Sequence, residues 1–382
     1  MVFSKATSNK IKKILKEGKQ PAYYLYSDEI HLSKALDWLT NAQDKVPESK
    51  GIAKGFHIFK GWLPTKEVLE GDTASVFLCT SRPEYKERAY KLIDHLLTQQ
   101  VPFGWFLPSK KGKQREPSVF VTGKILDALL NAYFQSKNKK YLNAAKKAGD
   151  WLLLVQASDG TWRRYTPYSR PQAYHVNIAL TLTKLGDVLN NDKYKEAALR
   201  FCNWLSSMYE PRLPWLWHLR RSNDLAASSK DIGITLCGMT KIAQKLQIPN
   251  LLARATDLAE KILMVYRKEG LLYPKYTPDW TIPEKGYIDL TGCAWMAKAF
   301  LSLDQASQGV AFGGIARSII QYIKSTHTIK NFLRIKGGVK ASQPIKKGDR
   351  PLQISTETTS IFALVLMDAK DKLLPKWWGY KI

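Results

Sequence analysis

Signatures of metal and redox chemistry are missing from this chain. Its four cysteines, Cys79, Cys202, Cys237 and Cys293, lie far apart with no CxxC spacing, which reads as reduced core residues rather than disulfides or ligands. Six histidines include no HxH or HExxH pattern, which argues against a protein-built zinc site, and no cofactor is implied. Nowhere do eighteen apolar residues run together, and the N-terminus MVFSKATSNKIKKILKEGKQ has lysines but no apolar segment of secretory length. The expectation is a soluble protein made and kept in the cytoplasm. A phosphate-cradling glycine loop and a nucleophile elbow are absent as well.

Acidic residues are in short supply. Asp and Glu number 33 against 59 Lys and Arg, a formal net charge of +26, which raises the local concentration of any anionic partner. Residues 1–20 carry six Lys and one Glu, residues 330–350 seven basic residues and one Asp, and Lys110, Lys111, Lys113 and Arg115 crowd one loop. Besides a solvated basic surface, an anionic polysaccharide or oligosaccharide is the expected partner. Nucleic acid is set behind it because no recognised module accompanies the charge.

What is present is helical periodicity. Thr122, Gly123, Ile125, Leu126, Leu129 and Leu130 recur at three and four, and after Ser136 to Lys140 so do Tyr141, Ala144, Ala145, Ala148 and Leu152. This is a helical hairpin, closed by the turn residues Ser158-Asp159-Gly160 before Trp162. Its second helix repeats: Tyr194, Ala197, Ala198 and Trp204 copy the spacing of Tyr141, Ala144, Ala145 and Trp151, and Tyr85 with Ala89 begins a weaker copy, giving a period of 53 to 56 residues. A hairpin with one apolar face needs neighbours to bury it.

Read in order, the chain carries twelve helices: His31 to Ala42, Gly71 to Cys79, Pro83 to Leu97, the central hairpin, and seven more ending at Ile354 to Met367. If every second helix is inner, the first outer helix and the last inner helix complete a sixth pair. The expected fold is therefore all-α, an (α/α)6 toroid (six-hairpin barrel) in a single domain over residues 26–382, behind a basic tail at 1–25. The inner helices, near residues 72, 121, 174, 232, 288 and 355, are rich in Gly, Thr and Ala, which suits close packing around an axis.

In such a toroid the inner helices start on one face, so six positive dipole ends share a funnel suited to carboxylates, sulfates or phosphates. The loops leading there hold Trp105, Trp162, Trp215, Trp217 and Trp280, with Tyr273 and Tyr276, as candidate platforms for sugar rings. The richest polar cluster is RRYTPYSRPQAYHVN. There Arg170 and Asn177 are expected to hold a uronate carboxylate, His175 to act as base and Tyr174 as acid, the logic of a lyase or C5-epimerase. His218, in WLWHLRR, is a second candidate. Asp231, Asp289 and Glu357 each fall in the first turn of an inner helix and are the alternative acids for a glycoside hydrolase, although an acid there also complements the dipole.

Several segments resemble a known group. WLTNAQDKVPESKGIAKGF with Gly61-Trp62, VFVTGKILDALLNAY, YLNAAKKAGDWLLLVQASDGTW, YHVNIALTLTKLG and GGVKASQPI, in this order, resemble bacterial (α/α)6 toroid proteins from polysaccharide-biosynthesis loci. These are related in shape to the helical domain of glucuronyl C5-epimerases and to six-hairpin glycosidases and lyases. With the polar cluster and the excess positive charge, the expectation is a carbohydrate-active protein acting on an acidic (uronate-containing or sulfated) polysaccharide or its precursor, lyase- or C5-epimerase-like, with a non-catalytic glycan-binding and assembly protein or a glycoside hydrolase as alternatives. Two departures stand out. Where such proteins read SYPETTGY, this chain has TKEVLEGDT, with Gly71 kept, Val68 at the acid position and Glu67 and Glu70 beside it, and Ile178 stands where relatives tend to have Arg.

Overall fold

The computed structural model describes residues 25–46, 51–64, 67–106, 116–208, 226–307, 312–329 and 334–370. Residues 1–24 of the basic tail, the loop cluster from Lys110 to Arg115 and the segment holding Trp215, Trp217 and His218 lie outside them. Among the described residues are twelve α-helices joined by loops with a few two- and three-residue strands.

Six helices form an inner ring: α2 (Glu67–Leu78), α4 (Val119–Ser136), α6 (Val176–Leu189), α8 (Ser229–Leu246), α10 (Leu290–Ala306) and α12 (Thr356–Lys370). Outside them lie α1 (Asp28–Asp44), α3 (Pro83–Leu97), α5 (Lys139–Leu154), α7 (Asp192–Ser207), α9 (Pro249–Glu269) and α11 (Phe312–Thr326). Each inner helix packs on both inner neighbours and most extensively on one outer helix, with α12 meeting α2 and α1, so the ring closes as the expected (α/α)6 toroid.

The sequence builds the inner-to-outer link the same way several times. Helix α4 stops where Lys137 turns left-handed at φ 55°, and the extended Asn138 caps α5 by accepting from the Lys140 N–H at 3.0 Å. Asn190 (φ 47°) and Asn191, which accepts from the Lys193 N–H at 3.2 Å, do this between α6 and α7. Gln247 (φ 53°) and Ile248 precede Pro249 at the start of α9. A left-handed residue satisfies the last inner carbonyls and reverses the chain within two residues.

Small residues set the inner spacing. A Cβ on Gly123 of α4 would stand 2.5 Å from Ile178 Cγ1 of α6, and one on Gly233 of α8 would stand 2.8 Å from the Met296 nitrogen of α10. Short strands lace the face where the inner helices begin. β1 (Gly55–His57) pairs antiparallel with β2 (Gly61–Trp62) and with β7 (Gln353–Ser355), which leads into α12. β3 (Ala227–Ser228) pairs with β4 (Lys275–Tyr276), and β5 (Ile288–Asp289) with β6 (Ser342–Gln343), just before α8 and α10.

One sequence expectation shifts in detail: the inner helix expected near residue 174 starts at Val176, because Ala173–His175 forms a separate 3-10 turn. Among the described residues no helix is long and apolar enough to cross a membrane.

Candidate functional site

The toroid axis holds a cavity to which all six inner helices contribute. Its volume is about 80 Å3.

Helix α2 brings Asp72 and Ser75; α4 brings Phe120, Lys124 and Asp127; α6 brings Asn177, Thr181 and Lys184. From the other side come Ile234 and Lys241 of α8, Trp295 and Lys298 of α10, and Ile361 and Leu364 of α12. Asp127, Lys184, Lys241 and Lys298 follow one another at separations of 57 residues, so one register of four successive inner helices is charged. All four line the cavity.

The charges are paired but not balanced. Lys124 Nζ lies 2.5 Å from Asp72 Oδ1, Lys184 Nζ 3.0 Å from Asp127 Oδ1 and Lys298 Nζ 2.5 Å from Asp368 Oδ2. Burial pushes the Asp72 carboxyl above the usual carboxylate range, outweighing its Lys124 partner, with the Glu357 charge pushing the same way. Burial acts on Asp127 too, yet Lys184, Lys124 and Lys241 together hold it below that range. Lys124 is stabilised as a cation: burial opposes its charge, but Asp72, Asp127 and Glu357 more than offset it. Two carboxylates of one cavity thus sit in opposite electrostatic settings.

Around the helix starts lies a second charged group. Lys230 pairs with Glu357, Arg350 donates to Glu357 Oε2 at 3.1 Å and to Thr291 Oγ1 at 2.6 Å, and Arg350 is 3.9 Å from Asp289. Burial raises the Asp289 carboxyl despite Arg350 and Lys230, while its Oδ1 caps α10 by accepting from the Thr291 N–H at 3.0 Å. Two of the three alternative acids, Asp289 and Glu357, therefore meet on Arg350. Asp231 serves the start of α8, where its N–H donates to Ser228 Oγ at 3.0 Å and its carboxylate accepts from the same hydroxyl at 2.8 Å.

The cluster expected around residue 175 divides. Tyr174 and Asn177 line the cavity; Tyr174 meets Phe120 edge to face at 5.4 Å, and Asn177 Nδ2 donates to the Ile234 carbonyl at 2.8 Å. His175 is fully buried away from the lining, edge to face with Tyr174 at 5.0 Å and with Trp162 at 6.1 Å. Trp162 is core: fully buried, with Nε1–H donating to the Leu152 carbonyl at 2.9 Å. Arg170 is exposed in the preceding loop, where its carbonyl accepts from Thr166 Oγ1 at 2.9 Å. Trp105 and Trp280 are half-buried against the core, and Tyr276 is buried. Trp215, Trp217 and His218 fall outside the described residues.

Asp72, Lys124, Asp127, Lys184, Lys241, Trp295 and Lys298 were not singled out from sequence. The available signal was a charge embedded in each glycine- and threonine-rich inner helix, as in VTGKILDALL, TLTK, GMTK and WMAK. No group of three or more His, Cys, Asp or Glu among the described residues could hold a metal ion.

Residues 120–190, which run from the start of α4 through α6, match the pectic acid lyase family model. No curated protein matches the chain by sequence. An unsaturated glucuronyl hydrolase from Bacillus sp. GL1, responsible for the degradation of glycosaminoglycan, superposes with a TM-score of 0.71 at 12% identity, covering 91% of this chain and 98% of its own. A Streptococcus agalactiae unsaturated glucuronyl hydrolase gives 0.69 at 12% identity, covering 94% and 95%, and a D-mannose isomerase 0.68 at 14%, covering 91% and 97%. Likeness at these identities establishes the six-hairpin fold.

Proposed function

We propose that the chain is a carbohydrate-active enzyme that binds an acidic sugar in the lumen and moves a proton there through Asp72. The carrying observation is the lining: lysines from four inner helices surround two carboxyls whose hold on a proton is shifted in opposite directions. A carboxyl raised toward working pH both accepts and donates protons effectively, whereas Asp127 stays ionised and keeps its lysines in place.

The reaction favoured is elimination or epimerisation at a uronate. Asp72, as carboxylate, takes the C5 proton, and Lys124 and Lys184 neutralise the charge that spreads onto the sugar carboxylate. The C4–O bond then breaks with its electron pair going to the leaving oxygen, which takes a proton from the Tyr174 hydroxyl, leaving an unsaturated uronate. Return of a proton to C5 from the other face gives the epimer instead. Asn177, committed through Nδ2 to Ile234, orients rather than transfers. The pectic acid lyase match supports this choice, because its span supplies Phe120, Lys124, Asp127, Tyr174, Asn177 and Lys184.

A second reading, hydrolysis of a glycosidic bond, is favoured by the opposed states of Asp72 and Asp127, which suit an acid and a base, and by the glucuronyl hydrolases among the fold neighbours. Incubation with a panel of uronate polysaccharides separates them. New ultraviolet absorbance marks elimination, C5 exchange in deuterated water without cleavage marks epimerisation, and new reducing ends without absorbance mark hydrolysis. Salt-dependent retention on the same glycans with no product sinks the enzymatic reading and leaves a glycan-binding protein.

A further inference from the structure

One buried donor beside the lumen is left unused by the fold. Trp295, in the second turn of α10, lines the cavity and is 7% exposed, and its indole Nε1–H is buried with no hydrogen-bond partner among the described residues. Two fully buried indoles behave differently: Trp38 Nε1–H donates to the Arg334 carbonyl at 3.1 Å and Trp162 Nε1–H to the Leu152 carbonyl at 2.9 Å. Buried donors in folded proteins find partners, so an unmade bond at a cavity wall marks the place of a ligand atom.

The indole is held firmly. Gly233 lets α8 approach so closely that a Cβ there would stand 2.9 Å from Trp295 Cβ, and Lys124 Nζ sits 5.2 Å from the ring centroid. An indole N–H can only donate, so its partner must present an acceptor. In a cavity where Lys124, Lys184, Lys241 and Lys298 outnumber Asp72 and Asp127, the acceptor that fits best is an anionic oxygen.

We propose that Trp295 is a specificity-determining residue that donates its indole N–H to the carboxylate of a uronate unit seated in the lumen. This rests on the acidic-sugar function above and adds the atom that reads the acid. The unmade bond is a cost carried by the empty protein and relieved on binding. Replacing the indole by a ring without a donor therefore weakens the ligand more than the fold.

The test uses the full chain with 15N-labelled tryptophan, titrated with an oligogalacturonate and an oligoglucuronate and followed through the indole N–H signals. Trp295→Phe identifies the Trp295 signal, and Trp295→Tyr does so if the Phe variant does not fold. The expected result is a downfield move of that signal with at least one of the two acidic oligosaccharides and none with its methyl ester. The variant should bind the acid about ten- to a hundredfold more weakly, as for a hydrogen bond to a charged group, with Tm within about 3 °C of wild type. Binding that moves other signals while the Trp295 indole stays still, with unchanged affinity in the variant, overturns the inference and leaves the functional reading intact. A large fall in Tm with unchanged affinity reduces Trp295 to packing and also overturns it. Absence of binding by any acidic glycan removes the functional reading and this inference together.

Discussion

His31 and His327 meet nitrogen to nitrogen across the seam that closes the ring, with Nδ1 to Nδ1 at 2.8 Å and both side chains fully buried. Their tautomers follow from their partners. His327 Nε2 lies 2.8 Å from the Gly337 carbonyl and so carries the proton, its Nδ1 is then an acceptor, and His31 Nδ1–H donates to it. Phe362 of α12 stands edge-on to both rings, and Lys324 of α11 reaches Asp28 of α1 at 2.8 Å beside them. First and last hairpins are thus joined by a neutral histidine pair.

That pair makes closure acid-sensitive. Burial pulls His327 down to about 3 from its ordinary 6.5, so the folded state stays neutral where the unfolded chain takes up a proton. Its stabilisation is complete above the unfolded value and is lost progressively as pH falls from about 6.5 toward 3. Thermal and urea unfolding should show about 2 kcal/mol lost between pH 7 and pH 5 from this group, and a His31→Gln, His327→Gln double variant should flatten that slope. A wild type equally stable at both pH values contradicts it.

Lys241 lines the lumen and its charge helps to hold the Asp127 carboxylate ionised. Lys241→Met should raise KM for a uronate substrate about tenfold and change kcat little, because charge felt equally by bound substrate and transition state is uniform binding. Steady-state kinetics on the wild type and the variant read this directly. An unchanged KM removes Lys241 from substrate binding.

Gly233→Ala gains helix propensity of about 1 kcal/mol and should still destabilise. The new Cβ meets the Met296 nitrogen and the Trp295 carbonyl carbon at 2.8 Å, so α8 and α10 must separate. Overpacking of this kind costs about 1–3 kcal/mol, readable by urea denaturation. A more stable variant would mean that the inner ring tolerates wider spacing there.

Much of the fold is legible in the sequence because its physics is local. The Tyr141/Ala144/Ala145 and Tyr194/Ala197/Ala198 repeat marks the outer helices, and the glycine-rich inner segments mark the ring, so helix number and pairing come out as found. The site is less legible. His175 beside Tyr174 suggests proton transfer in a linear reading, but the 3-10 turn Ala173–His175 puts the imidazole against Trp162 in the core and leaves Tyr174 at the lumen. Asp72, Lys184 and Trp295 are far apart in the chain, and only ring closure makes them neighbours of one cavity. The 57-residue register of Asp127, Lys184, Lys241 and Lys298 is visible in sequence only once the ring tells which face of each helix is inward.

The most direct measurement is turnover of Asp72→Asn on a uronate polysaccharide, beside wild type and His175→Ala, with folding of each checked by circular dichroism. Proton transfer through Asp72 requires the Asn variant to lose at least about a hundredfold in kcat while His175→Ala, once folded, stays within about tenfold. An Asp72→Asn enzyme that turns over like the wild type contradicts the assignment of the lumen carboxylate as the proton-transfer group.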